Sequence, residues 1–229
     1  MNRVFIGYDS RQDMAYRVLK YSIEKHSSRS VDIRPLVLKD LEKKMGFRRA
    51  VDPLASTEFT YTRFLVPDLC EFKGTAVFMD CDMLCLADIH ELFELDLSDC
   101  WLRVVKHNYQ PAAMVKMDGR IQTQYPRKNW SSLMLLNCEK LTMRSKENVE
   151  TKSGAWLHRF EAIPDERLGE IPKVWNVLER YDKDTKLIHY TEGGPWYEHL
   201  KDHPYGDIWF RYRDECLESQ KSKQLLGAR

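Results

Sequence analysis

The residues of this 229-residue chain best suited to chemistry are two aspartates one position apart, in Phe78-Met79-Asp80-Cys81-Asp82-Met83-Leu84. They follow a continuous apolar run, Thr75-Ala76-Val77-Phe78-Met79, of the kind that forms a strand buried on both faces. Carboxylates at i and i+2 on a regular strand point to opposite faces. Where the chain bends at the strand's C-terminal end, both can converge on one cation. Burying two acids behind an apolar strand is costly unless a cation or donor pairs them. Hard divalent ions such as Mn2+ and Mg2+ take such oxygen ligands and bridge well to a diphosphate. The opposing reading is a pair of turn or helix-capping aspartates at an exposed strand end.

A second constellation is Leu187-Ile188-His189-Tyr190-Thr191-Glu192-Gly193-Gly194-Pro195-Trp196. A histidine ending an apolar run is ordinarily a satisfied core residue. This one precedes a Gly-Gly-Pro turn, whose backbone can approach an anion closely. One imidazole added to two carboxylates makes a mixed donor set that suits Mn2+. A third is Asn129-Trp130-Ser131-Ser132-Leu133-Met134-Leu135-Leu136-Asn137, apolar core behind a polar strand entrance where sugar hydroxyls could be read; strand capping is the plainer alternative. Arg63, in Tyr61-Thr62-Arg63-Phe64, is a cation on an otherwise apolar helix and needs a carboxylate or a phosphate.

These residues need a scaffold, and the hydrophobic pattern supplies one. Val4 to Tyr8 reads as a strand, and Asp13 to Lys25 as a helix with Ala15, Val18, Leu19, Ser22 and Ile23 on one face. Val31 to Leu38 reads as a second strand, so the start is a strand–helix–strand unit of the kind that builds parallel sheets. Leu41 to Leu54 is basic and irregular. Thr57 to Val66 reads as a helix stopped by Pro67. Met83 to Ala87 is apolar, and a short helix is expected around His90 to Leu95. Trp101 to Lys106, Ser132 to Leu136 and Leu187 to Tyr190 are further strand candidates. Asn108 to Lys128, with Tyr109, Pro111, Tyr125 and Pro126, has the length of a binding loop. Glu139 to Phe160 is expected to be mostly helical, broken near Ser153-Gly154. The expectation is one α/β domain over residues 1–219, with a polar, frayed tail over 220–229.

Composition excludes several classes. The chain is 43% hydrophobic and 31% charged, with 36 basic against 35 acidic residues for a net charge of +1. Such a balance gives no field that would draw it to nucleic acid or anionic lipid. Its apolar runs fall far short of the roughly 20 residues that span a bilayer, and Met1-Asn2-Arg3 passes at once into a strand, so no transmembrane segment or signal peptide is expected. Cys70, Cys81, Cys85, Cys100, Cys138 and Cys216 form no C-x-x-C pair and read as reduced, buried thiols. A cytoplasmic protein is expected, at most peripheral to a membrane.

In order along the chain, these motifs resemble the glycosyltransferases of family 8, the group that includes glycogenin and bacterial lipooligosaccharide galactosyltransferases. The resemblance is carried by Val4 to Asp9, the T-Y-x-R helix at Thr60 to Leu65, and the D-x-D strand at Val77 to Leu84. Asp88-Ile89-x-x-Leu92-Phe93, Ser131 to Asn137 and H-Y-x-x-G-x-P-W at His189 to Trp196 complete it. It implies a GT-A type α/β fold, a mostly parallel twisted sheet flanked by helices, with a nucleotide-sugar at the strands' C-terminal ends. Asp80, Asp82 and His189 would hold Mn2+ or Mg2+, and Gly7, Tyr8 and Asp9 would receive the uridine. Arg63 would brace the nucleotide or Asp80. Cys81, Asn129, Trp130, Ser131, Ser132, Gly193, Gly194 and Trp196 would border the nucleotide-sugar. The activity implied is transfer of a hexose, with UDP-hexose as donor, to a glycan or glycolipid hydroxyl with retention of anomeric configuration.

The chain also departs from the family pattern. The lysine expected before the final Pro-Trp is Gly194, so leaving-group stabilisation would rest on the metal and the Gly193-Gly194 amides. The family's sugar-binding asparagine is replaced by Trp130, one residue from Asn129. No D-Q-D run precedes the late segment. The corresponding stretch runs from Trp156 to Glu161 and then Ile171-Pro172-x-x-Trp175-Asn176. His158, Glu161 and Asp165 are the candidates there for the catalytic group facing the sugar. Two other readings use the same residues. One is a haloacid-dehalogenase-type phosphohydrolase built on Asp80 and Asp82. The other is a non-catalytic carbohydrate-binding module presenting Trp130, Trp175, Trp196, Tyr109 and Tyr125.

Overall fold

The computed structural model describes residues 1–53, 55–108, 127–178 and 181–227. Most of the stretch from Asn108 to Lys128, including Tyr109, Pro111, Tyr125 and Pro126, lies outside the described residues.

Strand β1 (Arg3–Gly7) leads through helix α1 (Asp13–His26) to β2 (Asp32–Leu36) and α2 (Leu38–Met45). α3 (Val66–Leu69), β3 (Thr75–Met79), β4 (Met83–Cys85), α4 (His90–Phe93) and β5 (Leu102–Val104) follow. Next come β6 (Leu133–Asn137), α5 (Lys146–Thr151), α6 (Gly154–His158), β7 (Leu168–Glu170), β8 (Val177–Leu178), β9 (Leu187–His189) and α7 (Gly206–Gly227). Among the described residues, six strands make one sheet in the order β2-β1-β3-β6-β5-β7. Only β6 runs against the others, so the sheet is mostly parallel, and helices flank it. A second, three-stranded sheet has the order β4-β9-β8, with β4 and β9 antiparallel.

Physical chemistry accounts for this arrangement. β1 and β3 sit inside the large sheet and are covered on both faces; Val4 to Ile6 and Ala76 to Met79 are all buried, as parallel central strands require. Helix α1 buries its apolar stripe, and buried Ser22 on that stripe is satisfied twice. Its Oγ donates to Leu19 O at 2.8 Å and accepts the Cys85 N–H at 3.0 Å, tying α1 to β4. α7 packs on α1 and closes a second core of Val18, Leu84, Ile188, Tyr190, Trp209 and Tyr212.

Four expectations are corrected. The basic stretch read as irregular from Leu41 to Leu54 begins as helix: α2 runs to Met45 and is capped by Gly46, whose φ of 65° is the left-handed conformation that favours glycine. Pro67 does not stop a helix. Thr62–Leu65 is a 3-10 turn, and Pro67 lies in the first turn of α3, where a missing N–H costs nothing. The region from Glu139 to Phe160 is 3-10 turns and two short helices, and Ser153 caps α6 through the Trp156 N–H at 3.1 Å. The polar tail is helix as far as Gly227: Gln220 Nε2 donates to Cys216 Sγ at 3.3 Å, and its Oε1 accepts from Arg17. All six cysteines are buried and none is in a disulfide. Among the described residues no helix is long and apolar enough to cross a membrane.

Candidate active site

Asp80-Cys81-Asp82 is the junction between the two sheets, since β3 ends at Met79 and β4 begins at Met83. Leaving one sheet for the other breaks the strict alternation that would send the two acids to opposite faces. The Asp80 N–H donates to Ser132 O at 2.9 Å, and the Asp82 carbonyl accepts the Tyr190 N–H at 2.9 Å. His189 arrives by register: it ends β9 directly opposite Met83. The structure therefore brings together one carboxylate oxygen each from Asp80 and Asp82 and a ring nitrogen of His189, all within 4.8 Å of one another.

Arg63 braces Asp80. Its Nη1 lies 2.8 Å from Asp80 Oδ1 and donates to Ser131 O at 3.0 Å, with both side chains largely buried. The guanidinium carbon sits 5.2 Å from the ring centroids of Phe59 and of Phe78, which supplies cation–π contact where water is scarce. Removing one partner of such a buried pair typically costs about 3–5 kcal/mol.

On the other flank, His189 Nδ1 is 2.9 Å from Asn176 Oδ1, and Asn176 Nδ2 donates to Ser132 Oγ at 2.9 Å. His189 Nε2 faces Asp82 Oδ1 at 3.3 Å. That oxygen is buried and accepts no hydrogen bond among the described residues.

These groups open into a cavity of about 500 Å3. Arg63, Asp80, Asp82, Asn129, Ser131, Ser132, His158 and His189 all line it. Asn129, at a left-handed φ of 64°, enters the 3-10 turn Trp130–Ser132, a conformation asparagine tolerates better than most residues. Its Nδ2 is buried with no hydrogen-bond partner among the described residues. Lys128, Arg159, Thr191 and Tyr61 also line the cavity and were not singled out from sequence. Asn176 was missed as well; the only signal was the Pro-x-x-Trp-Asn segment that holds it.

Other candidates lie elsewhere. Cys81 is fully buried, with Sγ 3.6 Å from Gln12 Oε1. Burial and the flanking Asp82 and Asp80 push its thiol far up, so it stays protonated. Gly7 is a packing glycine, since a Cβ there would come within 2.4 Å of the Phe59 ring. Tyr8 donates to Asp13 Oδ1 at 3.0 Å. Asp9 is fully buried and accepts from Arg11 N, Nε and Nη2 and from Glu58 N. Burial alone would raise its pKa, but these hydrogen bonds and the Arg11 charge bring it below the usual carboxylate value. Arg11 and Glu58 line a second cavity of about 490 Å3, which shares Asp52, Thr57 and Tyr61 with the first.

Trp130 Nε1 donates to His107 O at 2.9 Å. The Gly193 N–H is taken by Tyr190 O at 2.8 Å, which removes one of the two amides expected to face a diphosphate. Gly194 is packed under the Trp196 ring. Of the three catalytic candidates, only His158 reaches the cavity. Its Nδ1 is 3.0 Å from Ser131 Oγ. Burial, then the charges of Arg63, Arg144 and Arg49, pushes its pKa well below 6.5, so the ring is neutral at pH 7. Glu161 is exposed, and Asp165 is exposed and paired with Arg127 Nη2 at 2.5 Å.

The donor set fits a divalent cation. Two carboxylate oxygens and one imidazole nitrogen suit Mn2+, and oxygen-rich sites of this kind also accept Mg2+. The unsatisfied Asp82 oxygen gives the cluster a reason to take up positive charge.

The sequence profile of glycosyl transferase family 8 matches residues 19–199. The chain is 45% identical to Protein CDI of Arabidopsis thaliana over 231 aligned positions, covering 96% of this chain and 89% of that protein. Among solved structures, the glycosyltransferase GlyE of Streptococcus pneumoniae superposes with a TM-score of 0.61 at 16% identity. That match covers 97% of this chain and 63% of GlyE. The galactosyltransferase LgtC, solved with donor and acceptor sugar analogs, superposes with a TM-score of 0.59 at 14% identity, covering 94% of this chain and 96% of that one. The structural likenesses establish the fold, and the profile match leaves the phosphohydrolase and binding-module readings without support. A GT-A sheet ending in this acidic junction, in a chain matched by that profile over most of its length, belongs to glycosyl transferase family 8, and the protein is an enzyme of the hexosyltransferase class.

Proposed function

We propose that the enzyme transfers a hexose from a UDP-sugar to a hydroxyl of a glycan or glycolipid, with retention of anomeric configuration and with Mn2+ or Mg2+ as cofactor. The observation that carries this reading is the Asp80–Asp82–His189 cluster, whose donor atoms lie within 4.8 Å of one another at the wall of a cavity of about 500 Å3. That volume is within the range of small-molecule sites. The three side chains would hold the ion, and a divalent cation bound there neutralises a diphosphate leaving group.

The chain's own residues do the remaining work. Arg63 fixes the Asp80 carboxylate. The buried Asn129 amide can donate to a sugar hydroxyl, which would satisfy a donor unmet among the described residues. Lys128 and Arg159 line the same cavity and supply cationic charge in a chain that carries Gly194 in place of the family's lysine. The nucleoside lies toward the adjoining cavity, and Asp9 supports it through Arg11 rather than by direct contact. Neutral His158 orients Ser131 and is not a proton donor at pH 7. Buried cysteines outside any disulfide accord with a reducing, cytoplasmic setting, at most peripheral to a membrane.

Titration calorimetry with UDP tests this reading. Binding is expected in the presence of Mn2+, strongly reduced without it, and lost in Asp82→Ala. Equal binding with and without the metal sinks the proposal.

A further inference from the structure

His189 can serve a metal with only one of its ring nitrogens, and a chain of hydrogen bonds running away from it decides which. Ser132 Oγ lies 2.6 Å from the Asn129 carbonyl oxygen, and a carbonyl can only accept, so the Ser132 hydroxyl donates its one proton there. Ser132 Oγ can then only accept at its second contact, which is 2.9 Å from the Asn176 amide. The amide must present its NH2 to Ser132 and therefore its oxygen to His189, 2.9 Å from Nδ1. Nδ1 accordingly carries the proton, and in the neutral ring the lone pair is on Nε2. Nε2 is the nitrogen that faces Asp82 Oδ1 at 3.3 Å.

The same serine also holds the acidic side of the cluster. Its backbone carbonyl accepts the Asp80 N–H at 2.9 Å. Ser132 lies at the entry to β6 in the large sheet, whereas Asn176 immediately precedes β8 in the small sheet. Asn176 is 1% exposed and Ser132 2%, so water does not compete for these bonds. One residue thus sets the spacing between a ligand on each sheet.

We propose that Asn176 and Ser132 are positioning residues for the metal site. Asn176 locks His189 in the Nδ1–H form with Nε2 aimed at the Asp80–Asp82 oxygens, and Ser132 fixes Asn176 in the orientation that allows this. The inference rests on the metal reading above, yet it makes one claim that holds without metal, the tautomer. Outer partners of metal-binding histidines typically change metal affinity about 10–100-fold when removed.

Two measurements test it on the full chain. The first is nitrogen-15 NMR of the histidine rings in the metal-free protein, with His189 assigned by its loss in His189→Ala. Wild type is expected to show the neutral ring protonated on Nδ1, and a ring protonated on Nε2 overturns the inference. The second is Mn2+ affinity, from the free-ion electron paramagnetic resonance signal, for wild type, Asn176→Leu, Asn176→Asp, Ser132→Ala and His189→Ala, each checked for folding by circular dichroism.

Asn176→Leu is expected to lose about 10–100-fold in affinity. Asn176→Asp keeps an acceptor for Nδ1–H and is expected to stay within a few-fold of wild type. Ser132→Ala is expected to fall between them. If Asn176→Leu and Asn176→Asp weaken Mn2+ equally, Asn176 is merely structural and the inference fails. Wild-type binding that is lost in His189→Ala but kept in a folded Asn176→Leu overturns this inference alone. Absence of Mn2+ binding in wild type overturns the metal reading and the inference with it. Should Asn176→Leu not fold, Ser132→Ala and the wild-type spectrum still decide.

Discussion

His189 Nε2 and Asp82 Oδ1 face each other at 3.3 Å although His189 ends β9, Asp82 precedes β4, and the two are far apart in sequence. The register that pairs Met83 with His189 fixes their approach, and the Tyr190 N–H to Asp82 carbonyl bond extends it. A slip of one residue would turn the imidazole to the opposite face of the sheet. Among the described residues the Asp82 oxygen accepts no hydrogen bond.

That contact predicts opposite signs for stability and function in Asp82→Asn. With the His189 proton on Nδ1, an asparagine amide can donate to Nε2 and add a hydrogen bond worth about 1 kcal/mol. The metal-free variant is expected to melt a few degrees above wild type while losing Mn2+-dependent UDP binding. Thermal scans with and without Mn2+ check both halves. A variant less stable than wild type in the absence of metal would show that Asp82 is already satisfied there.

Acid should unfold the protein through its histidines before its carboxylates. Burial is the main cause that pulls His107 from 6.5 to about 4, and the Lys173 charge adds to it. Burial with nearby arginines holds His158 well below 6.5. In both cases the unfolded chain binds a proton that the folded chain refuses. The stabilisation is therefore complete above pH 6.5 and is lost as pH falls through the folded values. For His107 the loss between pH 6.5 and about 4 is at most about 3 kcal/mol. Asp9, whose pKa lies below 3.8, contributes only under more acid conditions. Urea midpoints measured from pH 7.5 to 4.5 should fall steadily, and more shallowly in His107→Gln. Parallel slopes for the two proteins would remove His107 from this account.

How much of this was legible beforehand follows from the length scale of each feature. The D-x-D junction could be read because a continuous apolar run precedes it and β3 is buried from Ala76 to Met79. His189 could be read because an apolar run ends on it. The α1 stripe was visible from its periodicity, and the structure buries those same five side chains. Of the small sheet only β9 was visible, as the strand read over Leu187 to Tyr190; β4 has three residues and β8 two, too short for alternation to register. Asn176 was hidden for a different reason: its value lies in bonds to His189 and Ser132, 13 and 44 positions away. The second glycine of the Gly-Gly-Pro turn suggested an amide for an anion, whereas its role depends on a ring that only the fold places beside it.

That ring sets the last prediction. A Cβ at Gly194 would meet Trp196 Cζ3 at 1.9 Å and Cη2 at 2.3 Å, so the indole occupies the space any side chain would need. The indole itself is wedged against Tyr190, Trp209 and Tyr197, with centroids 5.8, 5.4 and 5.8 Å away. Tyr190 and Trp209 are core residues, and displacing the indole opens the second core. Gly194→Ala is therefore expected to cost about 1–3 kcal/mol, the usual penalty for overpacking. Gly194→Lys, which restores the residue type the family carries there, is expected to be destabilised further and to transfer sugar no faster than wild type. Melting curves and initial rates at saturating Mn2+ measure the two effects. A Gly194→Lys enzyme that is as stable as wild type and faster would mean that the indole yields readily and that the missing lysine limits turnover.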